Sequence, residues 1–134
     1  QPATTTTRGT SIPWLVNRFG TAPDYEVVDA TDHDGDGQPT WLEYRAGTNP
    51  QNGADSFRIV NLTVNGNGSV TLEWRGSSEH GVTTPFRVLA SSNLLESGWQ
   101  VREESVPRAA IGNTIWTDAA PPSGSKYFYK IEAP

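Results

Sequence analysis

The chain reads as a mostly β protein, an antiparallel β-sandwich with a small helical segment on its N-terminal side. Three observations predict this. From Ser56 onward, apolar residues recur at every second position in a series of short runs, the period of a half-buried strand. The first two runs are separated by Asn65-Gly66-Asn67-Gly68, a composition suited to a hairpin turn. Before Ser56 the apolar period is that of a helix, interrupted by a stretch in which aspartate alternates with other residues.

A chain of 134 residues suffices for one domain with a real core, and its formal net charge of −5 is concentrated in part in that acidic stretch. No basic stripe exists, so nucleic acid is not an expected partner. No apolar run approaches the ~18 residues of a membrane span, and no signal-peptide core is present. Cysteine is absent, which excludes disulfides, thiolate zinc sites and cysteine nucleophiles.

In chain order, residues 1–10 read as a linker, 11–55 as the helical segment and 56–134 as the sandwich. Thr4-Thr5-Thr6-Thr7 beside Pro2 and Gly9 has linker composition, and a frayed terminus predicts the same disorder. Ser11 suits a helix cap, Pro13 the first turn and Gly20 the stop, with Ile12, Leu15, Val16 and Phe19 on one face. Pro23 and Asp24 mark a turn, so the chain from Thr21 to Ala30 is expected to be irregular or only briefly helical. After the acidic stretch, Pro39 suits a first helical position and Trp41 to Ala46 give about two turns before Gly47 ends them.

The acidic stretch itself, Asp32 to Glu43, has carboxylates at its first, third, fifth and twelfth positions and glycine at the sixth. That is the calcium-loop pattern D-x-D-x-D-G-x5-E. Ca2+ is a hard cation that takes six to eight oxygens, and alternate carboxylates converge on it if the chain turns sharply, which Gly37 permits. The ligands read off the pattern are Asp32, Asp34, Asp36, the Gln38 carbonyl and Glu43, with Thr40 as a further oxygen directly or through water. Without a cation, four carboxylates in one tight loop repel. Pro39 occupies the eighth position, where paired loops exchange backbone hydrogen bonds, and it has no N–H to give. The expectation is a single structural loop, not a cooperative sensor. A weak site of this kind fits an extracellular setting, where calcium is millimolar.

Beyond the turn cluster 48–53, the expected strands are Phe57–Val64, Ser69–Trp74, Phe86–Ser91, Trp99–Glu104, Thr114–Thr117 and Lys126–Glu132. Trp74 alternates with Val70 and Leu72 and is expected in the core. If Tyr127, Tyr129, Ile131, Phe86, Val88 and Ala90 point inward, then Phe128, Leu89, Arg87 and Lys130 share the outer face of one sheet. That outer apolar pair is either the seat of the N-terminal helix or part of a binding surface.

Two resemblances carry these readings further. Asp32 to Pro50 resembles the calcium segment D-x-D-G-D-G … E-Y-x-A-G-T-D-P found near the C-termini of large secreted bacterial proteins, related in style to dockerin and thrombospondin type 3 loops. Asn49 stands where that family has Asp, and only one such repeat is present, so cohesin binding is not implied. Ser69 to Ala133 resembles a fibronectin type III-like sandwich through Val70-Thr71-Leu72-Glu73-Trp74, Phe86-Arg87-Val88-Leu89-Ala90, Thr117-Asp118 and Lys126-Tyr127-Phe128-Tyr129-Lys130-Ile131. The resemblance implies that Tyr127 is the tyrosine-corner residue. The chain ends at Pro134, where a last strand would be expected.

No Ser-His-Asp order, HExxH or phosphate-cradling glycine loop is present, and the clustered carboxylates are engaged by the expected ion. The expectation is therefore a non-catalytic, monomeric accessory module of a secreted protein. It would bind a polysaccharide, an anionic one included, for an attached upstream polysaccharide-active domain. The candidate ligand contacts are Arg87, Lys130, Trp99, Arg102 and Tyr44. A structural, anchoring or protein-docking module with no glycan affinity is the alternative.

Overall fold

The structure, a computed structural model, describes residues 4–92, 99–121 and 127–134. Helix α1 (Ile12–Phe19) starts where the Ser11 hydroxyl accepts the Trp14 N–H at 3.3 Å and stops at Gly20. The segment expected to be irregular or briefly helical forms α2 (Tyr25–Ala30), capped by Asp24, whose carboxylate accepts the Glu26 N–H at 2.9 Å. Helix α3 (Thr40–Ala46) follows Pro39 and ends at Gly47, in the left-handed region with φ 83°.

The threonine run is docked from Thr5 onward. Thr5 bridges to Ser11, and the Thr6 N–H donates to the Thr10 carbonyl at 2.9 Å. The Thr6 hydroxyl donates to Asp29 at 2.8 Å, Thr7 donates to Glu26 through both its hydroxyl and its N–H, and Arg8 lies 3.7 Å from Glu26. Two carboxylates on α2 thus hold a segment whose composition alone suggests a linker.

Among the described residues six strands follow: β1 (Arg58–Val64), β2 (Val70–Arg75), β3 (Phe86–Ser91), β4 (Gln100–Val106), β5 (Asn113–Asp118) and β6 (Phe128–Glu132). They form two antiparallel three-stranded sheets, ordered β1-β2-β5 and β4-β3-β6. The Asn65–Gly68 turn sets Val64 opposite Val70, and the Asn65 side chain donates to the Ser69 and Thr71 hydroxyls at 2.9 and 3.0 Å. Lys126, expected to open the last strand, lies outside the described residues.

Alternation along β2 buries Val70, Leu72 and Trp74, which join Phe86 and Val88 of β3 and Val106 of β4 in one cluster fed by both sheets. Trp74 meets Phe86 edge to face, with centroids 5.6 Å apart. Tyr129 and Ile131 pack against the same cluster. No helix among the described residues is long and apolar enough to cross a membrane.

The helices join the sheets through the chain that leaves β2. The Ser77 N–H donates to the Ala46 carbonyl at 2.7 Å, closing on the C-terminus of α3. Arg108 spans the same junction: its guanidinium lies 4.2 Å from the Phe86 ring centroid and donates to the carbonyls of Arg45, Ser77 and Thr84. Burial holds its basicity down, to about 10. Trp14 of α1 packs against Tyr44 and His80, both at 4.9 Å, so these ring contacts of α1 run to α3 and to the 76–81 segment.

Candidate metal centre

The acidic loop lies between α2 and α3. Its ends are tied where Thr40 donates both its N–H and its hydroxyl to the Thr31 carbonyl, at 3.1 and 2.9 Å. Between them the backbone winds tightly. Asp32 accepts the N–H groups of Gly35 at 2.9 Å and Gly37 at 2.8 Å, and both glycines have φ in the left-handed region (73° and 89°). The Gln38 N–H donates to Asp36 at 2.8 Å. In this winding Asp32, Asp34 and Asp36 each offer an oxygen within 4.8 Å of the other two.

Glu43, in the first turn of α3, stands close enough for the charges of Asp36, Asp34 and Asp32 to act on it. It is fully buried, and one carboxylate oxygen accepts the Thr48 hydroxyl at 3.5 Å. The other, Oε2, is buried without a hydrogen-bond partner, as are Oδ2 of Asp34 and Oδ2 of Asp36. Unpartnered buried carboxylate oxygens are costly and uncommon. The titration behaviour reflects the crowding. Burial, then the charges of Asp36 and Asp34, push the Glu43 carboxyl up to about 9. Burial raises Asp34 as well, whereas the Gly37 N–H holds Asp32 below its ordinary value.

A cation between these groups would remove both the repulsion and the unmet acceptors. The donors are all oxygen, which suits a hard cation and not a thiophilic one. The acidic cluster, with the orphaned Glu43 oxygen beside it, can hold a metal ion.

Gln38 is fixed by its side chain, which hydrogen-bonds the backbone of Phe57 just before β1. Thr40 spends its hydroxyl on Thr31. The sequence pattern did not point to two neighbours. The 49–55 segment covers the loop, so that a Cβ on Gly53 would stand 3.1 Å from the Asp34 carbonyl. Thr48 supplies the hydroxyl on Glu43. The A-G-T run after α3 is the only signal for either.

The candidate ligand contacts do not form one group. Arg87 pairs with Glu132 at 3.1 Å, while Lys130 stands 4.8 Å over the Trp99 ring and 4.0 Å from Glu132. These share the outer side of β3 and β6, because Arg87 is in register with Glu132. Arg102 is elsewhere, clamped on Asp118 at 3.1 and 3.2 Å, and Tyr44 is in the Trp14 contact. Both histidines have structural neighbours: His33 stacks on Phe19 at 4.2 Å and reaches the Val28 carbonyl, and His80 reaches the Thr48 carbonyl at 2.7 Å.

Compared with known proteins, the chain matches no family model, no curated protein and no solved structure.

Proposed function

We propose that this chain is a non-catalytic, calcium-stabilised accessory module of a secreted protein. In this reading one Ca2+, held by Asp32, Asp34, Asp36, the Gln38 carbonyl and Glu43, secures the helical segment to a fibronectin type III-like β-sandwich. The observation that carries it is Glu43, fully buried with an unpartnered oxygen beside three converging aspartates. The sandwich reading is supported by strands that alternate between the two sheets in Greek-key fashion around a shared core. Likeness of the loop to calcium segments of secreted proteins supports the extracellular setting.

The test is calorimetric titration of the chelator-treated protein with Ca2+ and, separately, Mg2+. One Ca2+ per chain with a raised melting temperature is expected, and Asp34→Ala removes both. Absence of heat and of any melting shift at millimolar Ca2+ would defeat the reading.

Polysaccharide targeting, on behalf of an attached polysaccharide-active domain, is the second reading. It is favoured by Trp99 with Lys130 over it and Arg87 nearby, an aromatic and cationic surface of the kind that meets anionic sugars. Retention on affinity gels of acidic polysaccharide, lost in Trp99→Ala, is the expected result. Free migration through every neutral and acidic gel with calcium present leaves the anchoring role in its place.

A further inference from the structure

Three Asn-Gly pairs occur in the chain, at 52–53, 65–66 and 67–68. Asparagine before glycine can react with its own backbone, because the nitrogen that follows it can attack the side-chain carbonyl carbon. Glycine, having no Cβ, leaves that nitrogen unhindered. Reaction then depends on how the fold holds the carbonyl oxygen, the departing amide and the attacking nitrogen.

The two pairs in the β1–β2 turn are held away from reaction. Asn65 gives its amide nitrogen to the Ser69 and Thr71 hydroxyls, at 2.9 and 3.0 Å, which keeps the departing group engaged. Asn67 has its side-chain oxygen polarised by the Ser69 N–H and hydroxyl, at 3.0 and 2.7 Å. However, Gly68 donates its N–H to the Asn65 carbonyl at 3.0 Å. Turning that nitrogen onto Asn67 would open the hairpin turn.

Asn52–Gly53 meets all three conditions. Both residues are exposed. The Asn52 side-chain oxygen accepts the Ala54 N–H at 3.1 Å, and the ring closed by that bond contains both the side-chain carbon and the Gly53 nitrogen. A donor already on the oxygen is placed to stabilise the negative charge that develops there on attack. Among the described residues no hydrogen bond engages the Gly53 N–H or the Asn52 amide nitrogen.

We propose that Asn52–Gly53 is a self-modification site, converting to isoaspartate and aspartate in the segment that covers the acidic loop. The Gly53 nitrogen bonds to the Asn52 side-chain carbon as the bond from that carbon to the amide nitrogen breaks. Solvent takes the Gly53 proton and returns one to the amide, which leaves as ammonia. Water then opens the cyclic imide. Opening at the side-chain carbon restores the main chain with aspartate at this position. Opening at the main-chain carbon routes the chain through the side chain, as isoaspartate. The balance needs water alone.

The isoaspartate product disturbs a segment with little slack. The Asn52 N–H donates to the Asn49 carbonyl at 3.1 Å and the Asp55 N–H to the Asn52 carbonyl at 2.9 Å. Asp55 in turn accepts the Asn49 N–H at 3.1 Å and Arg75 of β2 at 2.8 Å. The Asn52 carbonyl is the group that isoaspartate turns into a pendant carboxylate. The added methylene displaces the chain at Gly53, which lies against the Asp34 carbonyl. The cover of the acidic loop is thereby loosened, and neither the chemistry nor this effect depends on the ion.

The test is ageing of the intact chain in EGTA at mildly alkaline pH. Peptide mass spectrometry follows the three pairs, and labelling by an isoaspartyl methyltransferase identifies the rearranged product. In the folded chain 52–53 is expected to convert at least about tenfold faster than either hairpin pair, with isoaspartate among its products. In urea the three rates should come together. The isoaspartate fraction should melt below the fresh chain and below Asn52→Asp, which carries the other product on a normal main chain. Asn52→Ser, at an exposed position, should keep its melting temperature through the same incubation. No conversion at 52–53, a hairpin pair that keeps pace with it, a lead that persists in urea, or an isoaspartate fraction that melts with Asn52→Asp would each overturn the proposal.

Discussion

The side-chain amide of Gln38 pairs with the backbone of Phe57 in both directions: Nε2 donates to the Phe57 carbonyl at 2.6 Å, and Oε1 accepts the Phe57 N–H at 2.8 Å. One residue of the acidic loop thereby behaves as an added strand partner just ahead of β1. The same residue supplies the carbonyl expected to face the ion, so an ion held there would be mechanically linked to the start of β1. Gln38→Ala keeps that carbonyl but frees the backbone of Phe57. A stability loss of about 1–3 kcal/mol is expected from denaturant unfolding, the range for removing a partner from part-buried backbone groups. Calcium affinity should fall as well, because the loop loses its outer anchor. Unchanged affinity beside lowered stability would separate the two roles.

Removal of the ion is expected to destabilise the whole chain, because the acidic loop sits between α2 and α3 and reaches β1. A ligand bound only by the native state adds about 2.7 kcal/mol at a concentration a hundredfold above its Kd. Scanning calorimetry with calcium and with EGTA measures this directly. The melting temperature should drop on chelation, and Asp34→Ala should melt at the chelated value in both buffers.

The buried Glu43 gives the metal-free protein a particular pH dependence. Its folded-state carboxyl is pushed from 4.5 up to about 9, burial first and the neighbouring aspartates next. Between those values the native chain retains a proton that the unfolded chain has released. Stability from this group is therefore fully present below pH 4.5 and is lost as pH rises through 9, at up to about 1.4 kcal/mol per pH unit. In EGTA the melting temperature should fall from pH 5 to pH 8.5. Saturating calcium should flatten the fall, since the ion takes the place of the proton, and binding near pH 7 should release about one proton per ion. Glu43→Gln, which imitates the protonated side chain, should show a much shallower fall between pH 5 and pH 8.5 in EGTA and ignore calcium. A pH-dependent fall that persists in Glu43→Gln would assign the titration to another group.

Asp118 should act in the opposite direction. Burial alone would raise its carboxyl, but hydrogen bonds from Arg102, from the Tyr129 hydroxyl at 3.0 Å and from the Ala120 N–H hold it below its ordinary value. Its contribution is present above the unfolded carboxylate range and is lost as pH falls through the lowered folded value. Tyr129→Phe removes one of these bonds and should cost about 1 kcal/mol in denaturant unfolding, with the deficit shrinking in acid. A deficit that stays constant to pH 2 would place the effect in packing alone.

Local signals were legible wherever period and punctuation agreed. Phe86–Ser91 was readable to the residue, because alternation and flanking turns coincide. Ser11 and Gly20 marked the ends of α1, since a cap and a positive-φ glycine stop have specific chemistries. The convergence of Asp32, Asp34 and Asp36 followed from their spacing and from Gly37. What the sequence did not disclose depends on distant partners. Docking of the threonine run rests on Glu26 and Asp29, and no period links the two segments. Similarly, nothing in the spacing signalled that the Tyr129 hydroxyl bonds to Asp118, a pairing set by where β5 ends. Arg102, a candidate ligand contact, is engaged by the same aspartate. Polar pairings across sheets carry no signature in spacing.

Two glycines that end helices are expected to respond very differently to the same substitution. Gly20 and Gly47 follow α1 and α3 with φ of 80° and 83°, but only Gly47 (ψ 26°) is in the left-handed helical region, where alanine costs about 1–2 kcal/mol. Gly20, with ψ −174°, lies in a region essentially reserved for glycine, where alanine costs about 1–3 kcal/mol. At Gly20 that is the whole cost, since a Cβ would meet nothing within 4 Å. At Gly47 the new methyl would collide with the Ser77 carbonyl and lie 2.7 Å from its hydroxyl oxygen. Ser77 cannot yield, because its N–H is bonded to the Ala46 carbonyl and its own carbonyl accepts from Arg108. Relief requires α3 to part from the chain that leaves β2. Gly47→Ala should therefore cost more than Gly20→Ala in denaturant unfolding, because an overpacking penalty of about 1–3 kcal/mol adds to its backbone strain. It should also weaken calcium binding, since Glu43 and Thr48 lie on either side of the displaced turn. Equal losses for the two variants would mean that the junction between helices and sheets is looser than its hydrogen bonds imply.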